Sequence, residues 1–230
     1  LYFSVPFAIL RLLLRDTHDS SWKRKLKNQL GIVQKISGQV IWIHCVSVGE
    51  FNASKPLIDK LFIQYSDHQI VVSTTTITGS IAVNKHYKSK VIHCFFPFDI
   101  PLIINSYVNK INPEICILLE TEIWPNLIQS LKKKSVPVVL INARLSEKSF
   151  HRYNKYSSNL VKASLNNLNL ICAQNTSSAD RFISLGANQE KIITTGSLKF
   201  DSDNLVDNEA IKTLKNIIGD TKISVFASTR

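Results

Sequence analysis

Apolar residues along the chain fall into short runs rich in Val and Ile, separated by longer amphipathic stretches, and this alternation predicts strands and helices in turn. The runs at 40–46, 70–73, 91–94, 115–119, 136–141, 170–173 and 192–194 predict strands. Between them, 52–65, 80–87, 101–109, 125–133, 153–165 and 177–185 predict helices, two of which open on Pro101 and Pro125, where a proline is tolerated. Near-continuous apolar strands alternating with helices imply an α/β fold, a Rossmann-like parallel sheet with helices on both faces. Beyond it, 207–218 predicts one more helix and 222–228 one more strand. A strand there would have no partner for its own crossover, and no Met occurs even at position 1, so the sequence is read as part of a longer protein.

The stretch VIWIHCVSVGE (40–50) predicts a buried strand that delivers a small-residue turn, Ser47 to Gly49, and then Glu50, into the start of a helix. In an open parallel sheet, ligands bind outside the carboxyl ends of the strands. A carboxylate there would face the backbone N–H groups and positive dipole end of the helix, which favour its ionised form and suit a proton acceptor or cation-binding group.

The loops after the other strands are also polar. The second carries Ser73, Thr74, Thr75, Thr76, Thr78, Gly79 and Ser80, an anion or sugar cradle or simply helix caps. The third, FFPFDIP (95–101), holds Asp99. The fourth, with Glu120, Glu122 and Trp124, places two carboxylates at a strand end, where charge is avoided unless paired or used; one of them could pair with Arg144 as structural support. The fifth presents Asn142 and Arg144, whose fork-shaped guanidinium suits a phosphate or carboxylate, and the seventh presents Lys199. A Lys and an Arg facing Glu50 and Glu120 across one crevice would bind an anionic sugar and manage a proton. His44 and His93 sit on apolar runs and read as core residues with satisfied nitrogens. No catalytic triad spacing stands out.

Composition narrows the partners. The 230 residues are 44% hydrophobic, enough for a sizeable core, and the net charge of +11 favours an anionic partner. The basic residues are scattered and lack the aromatic interleaving of a nucleic-acid groove. Four cysteines, 45, 94, 116 and 172, lie far apart without a CxxC pair, and read as packed thiols rather than metal ligands. Residues 1–14 are almost wholly apolar and precede a basic stretch at 22–27. Fourteen helical residues reach about 21 Å, short of a ~30 Å hydrocarbon core. They could form the end of a longer anchor, an interfacial helix meeting lipid phosphates, or a helix packed on the main domain.

The strings WIHCVSVGE (42–50), STTTITGS (73–80), FPFDIP (96–101), LETEIWPNLI (119–128), INARLSEKSF (141–150), AQN (173–175) and TGSLKFD (195–201) resemble, in order, the motifs of the Kdo transferases. These are membrane-associated enzymes that add 3-deoxy-D-manno-oct-2-ulosonic acid (Kdo) to the lipid A precursor. The resemblance implies the N-terminal half of a GT-B glycosyltransferase. Residues 1–30 would be a hydrophobic and basic membrane-anchoring segment and 31–206 the acceptor-binding domain. Residues 207–230 would be a linker helix and the first strand of a CMP-Kdo-binding domain.

The resemblance further implies CMP-Kdo as donor substrate, no cofactor and no metal, a lipid A precursor acceptor, an anionic membrane surface as partner, and no nucleic acid. The implied location is the cytoplasmic face of a bacterial inner membrane. Glu50 would be the general base, and Glu120 and Lys199 the groups that stabilise the transition state. Ser47, Gly49, Thr75, Thr78, Gly79, Glu122, Asn142 and Arg144 would contact substrate. Cys45, Ile77 and Ser197 depart from the residues usual in that family, changing packing or a turn more than chemistry. The rival functions are another GT-B sugar-nucleotide enzyme, such as an epimerase, and a non-enzymatic basic module that binds membrane.

Overall fold

The computed structural model describes residues 20–200. The apolar stretch 1–14, the expected helix at 207–218 and the expected strand at 222–228 lie outside the described residues. Within them, the seven strands are β1 (Val40–His44), β2 (Gln69–Thr74), β3 (Ile92–Phe95), β4 (Ile115–Leu119), β5 (Val138–Ala143), β6 (Leu170–Ala173) and β7 (Ile192–Thr194). The helices are α1 (Ser20–Gln29), α2 (Val48–Gln64), α3 (Ile77–Tyr87), α4 (Pro101–Ile111), α5 (Pro125–Lys133), α6 (Glu147–Asn167) and α7 (Thr176–Ser184).

All strand pairs are parallel, in the order β3-β2-β1-β4-β5-β6-β7. The chain winds outward from β1 to β3, crosses back through α4, and continues outward from β4. The order therefore reverses between β1 and β4, and the crevice at their carboxyl ends is where such sheets bind ligands. Both strands are buried along almost their whole length, which is why they read as unbroken apolar runs.

Side chains alternate across the sheet and build two cores. Val40 and Trp42 of β1 enter one with Ile104, Tyr107 and Val108 of α4, Leu127 and Leu131 of α5, Val161 and Leu165 of α6, and Phe182 of α7. Ile41 and Ile43 enter the other with Phe51 and Ile58 of α2 and Val83 and Tyr87 of α3. Cys45, Cys94 and Cys116 are packed in these cores, as expected of thiols used for volume, and burial pushes Cys45 up to about 12.

Helix α1 has no counterpart among the helices expected from the alternating pattern. Of the readings open for the N-terminal segment, lipid-facing or packed on the main domain, the basic stretch at 22–27 takes the second: α1 docks on the edge of the sheet. Arg24 Nη2 donates to Ser80 Oγ at 2.9 Å, lies 3.0 Å from His93 Nδ1, and its guanidinium stands over the Phe95 ring. Asn28 Oδ1 accepts from Phe95 N at 2.9 Å, so the helix supplies a hydrogen bond to the outermost strand. At Gly31 the chain turns with φ +79°, and a Cβ would lie 3.0 Å from Ile103 O, so a side chain there would be strained and crowded.

Candidate active site

Glu50 sits in the first turn of α2 rather than before it. Ser47 is the N-cap, its hydroxyl accepting from Glu50 N at 3.4 Å, while the Glu50 carboxylate reaches back to accept from Val46 N at 2.7 Å and from the Ser47 hydroxyl at 3.3 Å. The pattern Ser47-x-x-Glu50 is thus close to a capping box, a signal present in the sequence and overlooked there. Glu50 is only 8% exposed. Its proton affinity is raised, first by burial and also by the Glu120 carboxylate, against the Val46 N–H and Ser47 hydroxyl, which pull it down. The expectation that the helix end would favour the ionised form is therefore reversed: lost hydration outweighs the hydrogen bonds. For a general base the change is favourable, because a carboxylate that holds a proton more tightly accepts one more readily.

Across the switch point, the end of β4 brings Glu120 and Glu122 to the same crevice. Glu120 has φ +56° and Asn142, at the end of the adjacent strand, φ +51°; Glu120 N donates to Ile141 O between them. Left-handed backbone at two neighbouring strand ends is costly, and such strain gathers where side chains must be aimed. Glu122 accepts from Trp124 Nε1 at 2.7 Å, and burial, then Glu50, push it up to about 7, with Glu120 adding to the rise. Three carboxylates from two elements therefore sense one another.

Arg144 does not join them. It is exposed, and among the described residues it forms no ion pair with Glu120 or Glu122; the expected structural pair is replaced by the bond from Trp124. Lys199 lies on the exposed turn 198–200, which packs beside α2. That turn is tied down by Asn142, whose Oδ1 accepts from Leu198 N at 3.2 Å, while Gln174 Nε2 donates to Asn142 O. Asn142 is buried and holds backbone in place through Oδ1, while its Nδ2 lacks a hydrogen-bond partner.

The hydroxyl cradle after β2 is largely used inside the fold. Thr75 Oγ1 donates to Val46 O at 3.0 Å, bracing the loop that holds Glu50. Thr76 caps α3 through Gly79 N, and Thr78 Oγ1 donates to Thr76 Oγ1. Gly79 is buried, and a Cβ there would lie 2.9 Å from Thr76 Oγ1, so its small size serves packing. Gly49 is exposed, and a Cβ there would meet only the Ser47 hydroxyl, at an ordinary 3.7 Å. Asp99, noted only as a loop carboxylate, caps α5 from a distance: Oδ1 accepts from Leu127 N at 2.9 Å and Oδ2 from Asn126 N at 3.1 Å. His93 is satisfied on both nitrogens, by Arg24 and by Thr74. His44 is not: its Nε2 lacks a hydrogen-bond partner.

A sequence profile described as 3-deoxy-D-manno-octulosonic-acid transferase (kdotransferase) matches residues 21–202, well over half the chain. The chain belongs to the Kdo transferase family. A Haemophilus influenzae 3-deoxy-D-manno-octulosonic acid transferase is 36% identical over 199 residues, 85% of this chain and 46% of that protein. A Fusobacterium nucleatum bifunctional glycosyltransferase/methyltransferase is 38% identical over 84% of this chain and 30% of its own length. A probable mitochondrial Kdo transferase of Arabidopsis thaliana is 31% identical over 92% of this chain and 48% of its own. The chain spans at most about half the length of the curated relatives it matches.

Among solved structures, the Neisseria meningitidis UDP-GlcNAc 2-epimerase superposes with a TM-score of 0.53 at 15% identity, over 78% of this chain and 53% of that one. The Methanocaldococcus jannaschii enzyme of that name also gives 0.53, at 13% identity, over 81% of this chain and 54% of that one. At such identity the likeness concerns the Rossmann-like fold of this Kdo transferase family member.

Proposed function

We propose that this chain is the acceptor-binding half of a two-domain GT-B Kdo transferase, which moves Kdo from CMP-Kdo to the lipid A precursor with inversion. The observation that carries the reading is the convergence of Glu50, Glu120 and Glu122 at the β1–β4 switch point. Relatives about twice as long leave room for a second domain, which would start near residue 207 and hold CMP-Kdo.

In the proposed reaction, the acceptor sugar hydroxyl gives its proton to Glu50 as its oxygen bonds to the anomeric carbon of Kdo. The bond from that carbon to the CMP phosphate oxygen breaks and CMP leaves from the opposite face. Glu120 would stabilise the oxocarbenium-like centre by its charge, and Lys199 the negative charge gathering on the phosphate. Ser47 serves by fixing Glu50, and Thr75 by bracing Val46.

The acceptor is a phosphorylated lipid, and the excess of Lys and Arg suits an enzyme working on the anionic cytoplasmic face of a bacterial inner membrane. No described helix is long and apolar enough to cross a bilayer; attachment would rest on the hydrophobic and basic segment 1–30. The test is mass spectrometry of lipid IVA incubated with CMP-Kdo and the two-domain enzyme. The expected product is lipid carrying Kdo. Unchanged lipid together with epimerisation of an added UDP-GlcNAc would overturn the proposal.

A further inference from the structure

His44 lies under the crevice, fully buried and stacked on Phe96 with ring centroids 3.9 Å apart. Its Nδ1 is 3.2 Å from Ser73 O and 2.9 Å from Ser73 Oγ, a hydroxyl that also accepts from Trp42 Nε1 at 2.8 Å. The Ser73 hydroxyl can take either role, whereas the backbone carbonyl only accepts, and that second contact favours the tautomer with the ring proton on Nδ1 and a lone pair on Nε2. Burial pulls the ring down to about 3, which keeps it neutral, so Nε2 must find a donor or stay unsatisfied. No described residue donates to it, but Glu122 Oε2, the oxygen that accepts from Trp124 Nε1, stands 3.8 Å away.

The groups facing Glu122 are His44 from β1, Glu50 from α2, Glu120 at the end of β4, Trp124 on its own loop, and Tyr153 of α6 with Arg152 beside its ring. Two of these are carboxylates, and a third negative charge among them would be poorly hydrated. Building on the transferase reading, we propose that Glu122 is a positioning residue rather than a sugar ligand. As a neutral acid it donates its proton to His44 Nε2 and accepts from Trp124 Nε1, pinning the 120–124 loop to the crevice floor. The carboxylate charge offered to the anionic Kdo is then confined to Glu50 and Glu120. The rise of Glu122 to about 7 agrees with this state below neutral pH and centres its loss near neutrality.

The direct test is 15N NMR of His-labelled chain, with His44 assigned by its disappearance in His44→Phe. Nε2 should behave as a hydrogen-bonded acceptor at about pH 5–6 and step to an unbonded acceptor with a midpoint near 7. That step should vanish in Glu122→Gln, whose amide donates at every pH. A protonated Nε2 at pH 6, or a flat response between pH 5 and 9, would overturn the proposal.

In the two-domain enzyme, kcat/KM should fall above about pH 7. Glu122→Gln should flatten that limb and keep at least about tenfold more activity than Glu122→Ala. Equal losses in the two variants at every pH would overturn the positioning role. An enzyme that makes no Kdo-lipid while His44 still shows the step would instead refute the transferase reading and leave the His44–Glu122 pair standing.

Discussion

Replacing Glu50 by Gln in the two-domain enzyme is expected to lower kcat for Kdo transfer by about 10²–10⁴-fold, the usual worth of a positioned general base. Gln is the informative substitution because Glu50 has two duties. Its carboxylate accepts from Val46 N and from the Ser47 hydroxyl, and so helps to close the start of α2. A Gln side-chain oxygen can keep the bond from Val46 N and its NH2 can donate to the Ser47 hydroxyl, but the amide cannot accept the proton. Glu50→Ala would remove both duties, adding about 1 kcal/mol of lost capping to the lost base. Rates measured at saturating donor and acceptor, beside urea unfolding of the same variant, separate the two. Near wild-type turnover with Gln would remove Glu50 from the chemistry.

The Asp99→Ala variant should lose about 2–4 kcal/mol of unfolding free energy, the largest stability effect expected from a single loop residue here. Asp99 bridges the β3–α4 loop to the start of α5, accepting from Leu127 N, Asn126 N and the Asn126 side-chain amide. The formal N-cap, Trp124, gives no side-chain cap, so Asp99 satisfies the donors that open α5. Its removal also frees the segment that follows Glu120 and Glu122, so activity should fall with stability. Asp99→Asn keeps a side-chain oxygen acceptor and should lose roughly half as much. Urea denaturation decides the matter, and a change below about 0.5 kcal/mol for Ala would show that the cap is idle.

Most of the architecture was legible because burial on both faces leaves a plain signal. All seven strands lie where the apolar runs placed them, with boundaries at most two residues off, as at β5, which begins at Val138 rather than 136, and β1, which ends at His44 rather than 46. The helix starts were less legible. Helix α6 begins at Glu147, six residues before the expected 153, since Ser146 caps Ser149 N and a polar first turn shows no apolar stripe. Helix α1 was hidden because its Arg and Lys residues look the same whether they meet lipid or, as Arg24 does, Ser80 and His93.

The site was legible as carboxylates at strand ends and no further. Ser, Thr and Asp bind sugars and cap helices with the same atoms, so nothing local separates Thr75 and Thr76 as braces from Thr75 and Thr76 as ligands. The bond from Asn126 to Asp99 joins residues 27 apart, and only the fold brings them together. His44 was expected to be satisfied because it lies on an apolar strand. The strand does bury it, but the donor for Nε2 would have to come from β4's outlet, a neighbour that only the strand order reveals.

The central claim is that the carboxyl groups of Glu50 and Glu120 share one crevice, and a 13C NMR titration of the glutamate side chains in this chain tests it most directly. Glu50 should titrate above the ordinary glutamate range of about 4.3, and Glu120→Gln, by removing a neighbouring negative charge, should shift its midpoint down. A Glu50 that titrates like a surface carboxylate and does not respond to Glu120→Gln would contradict the claim.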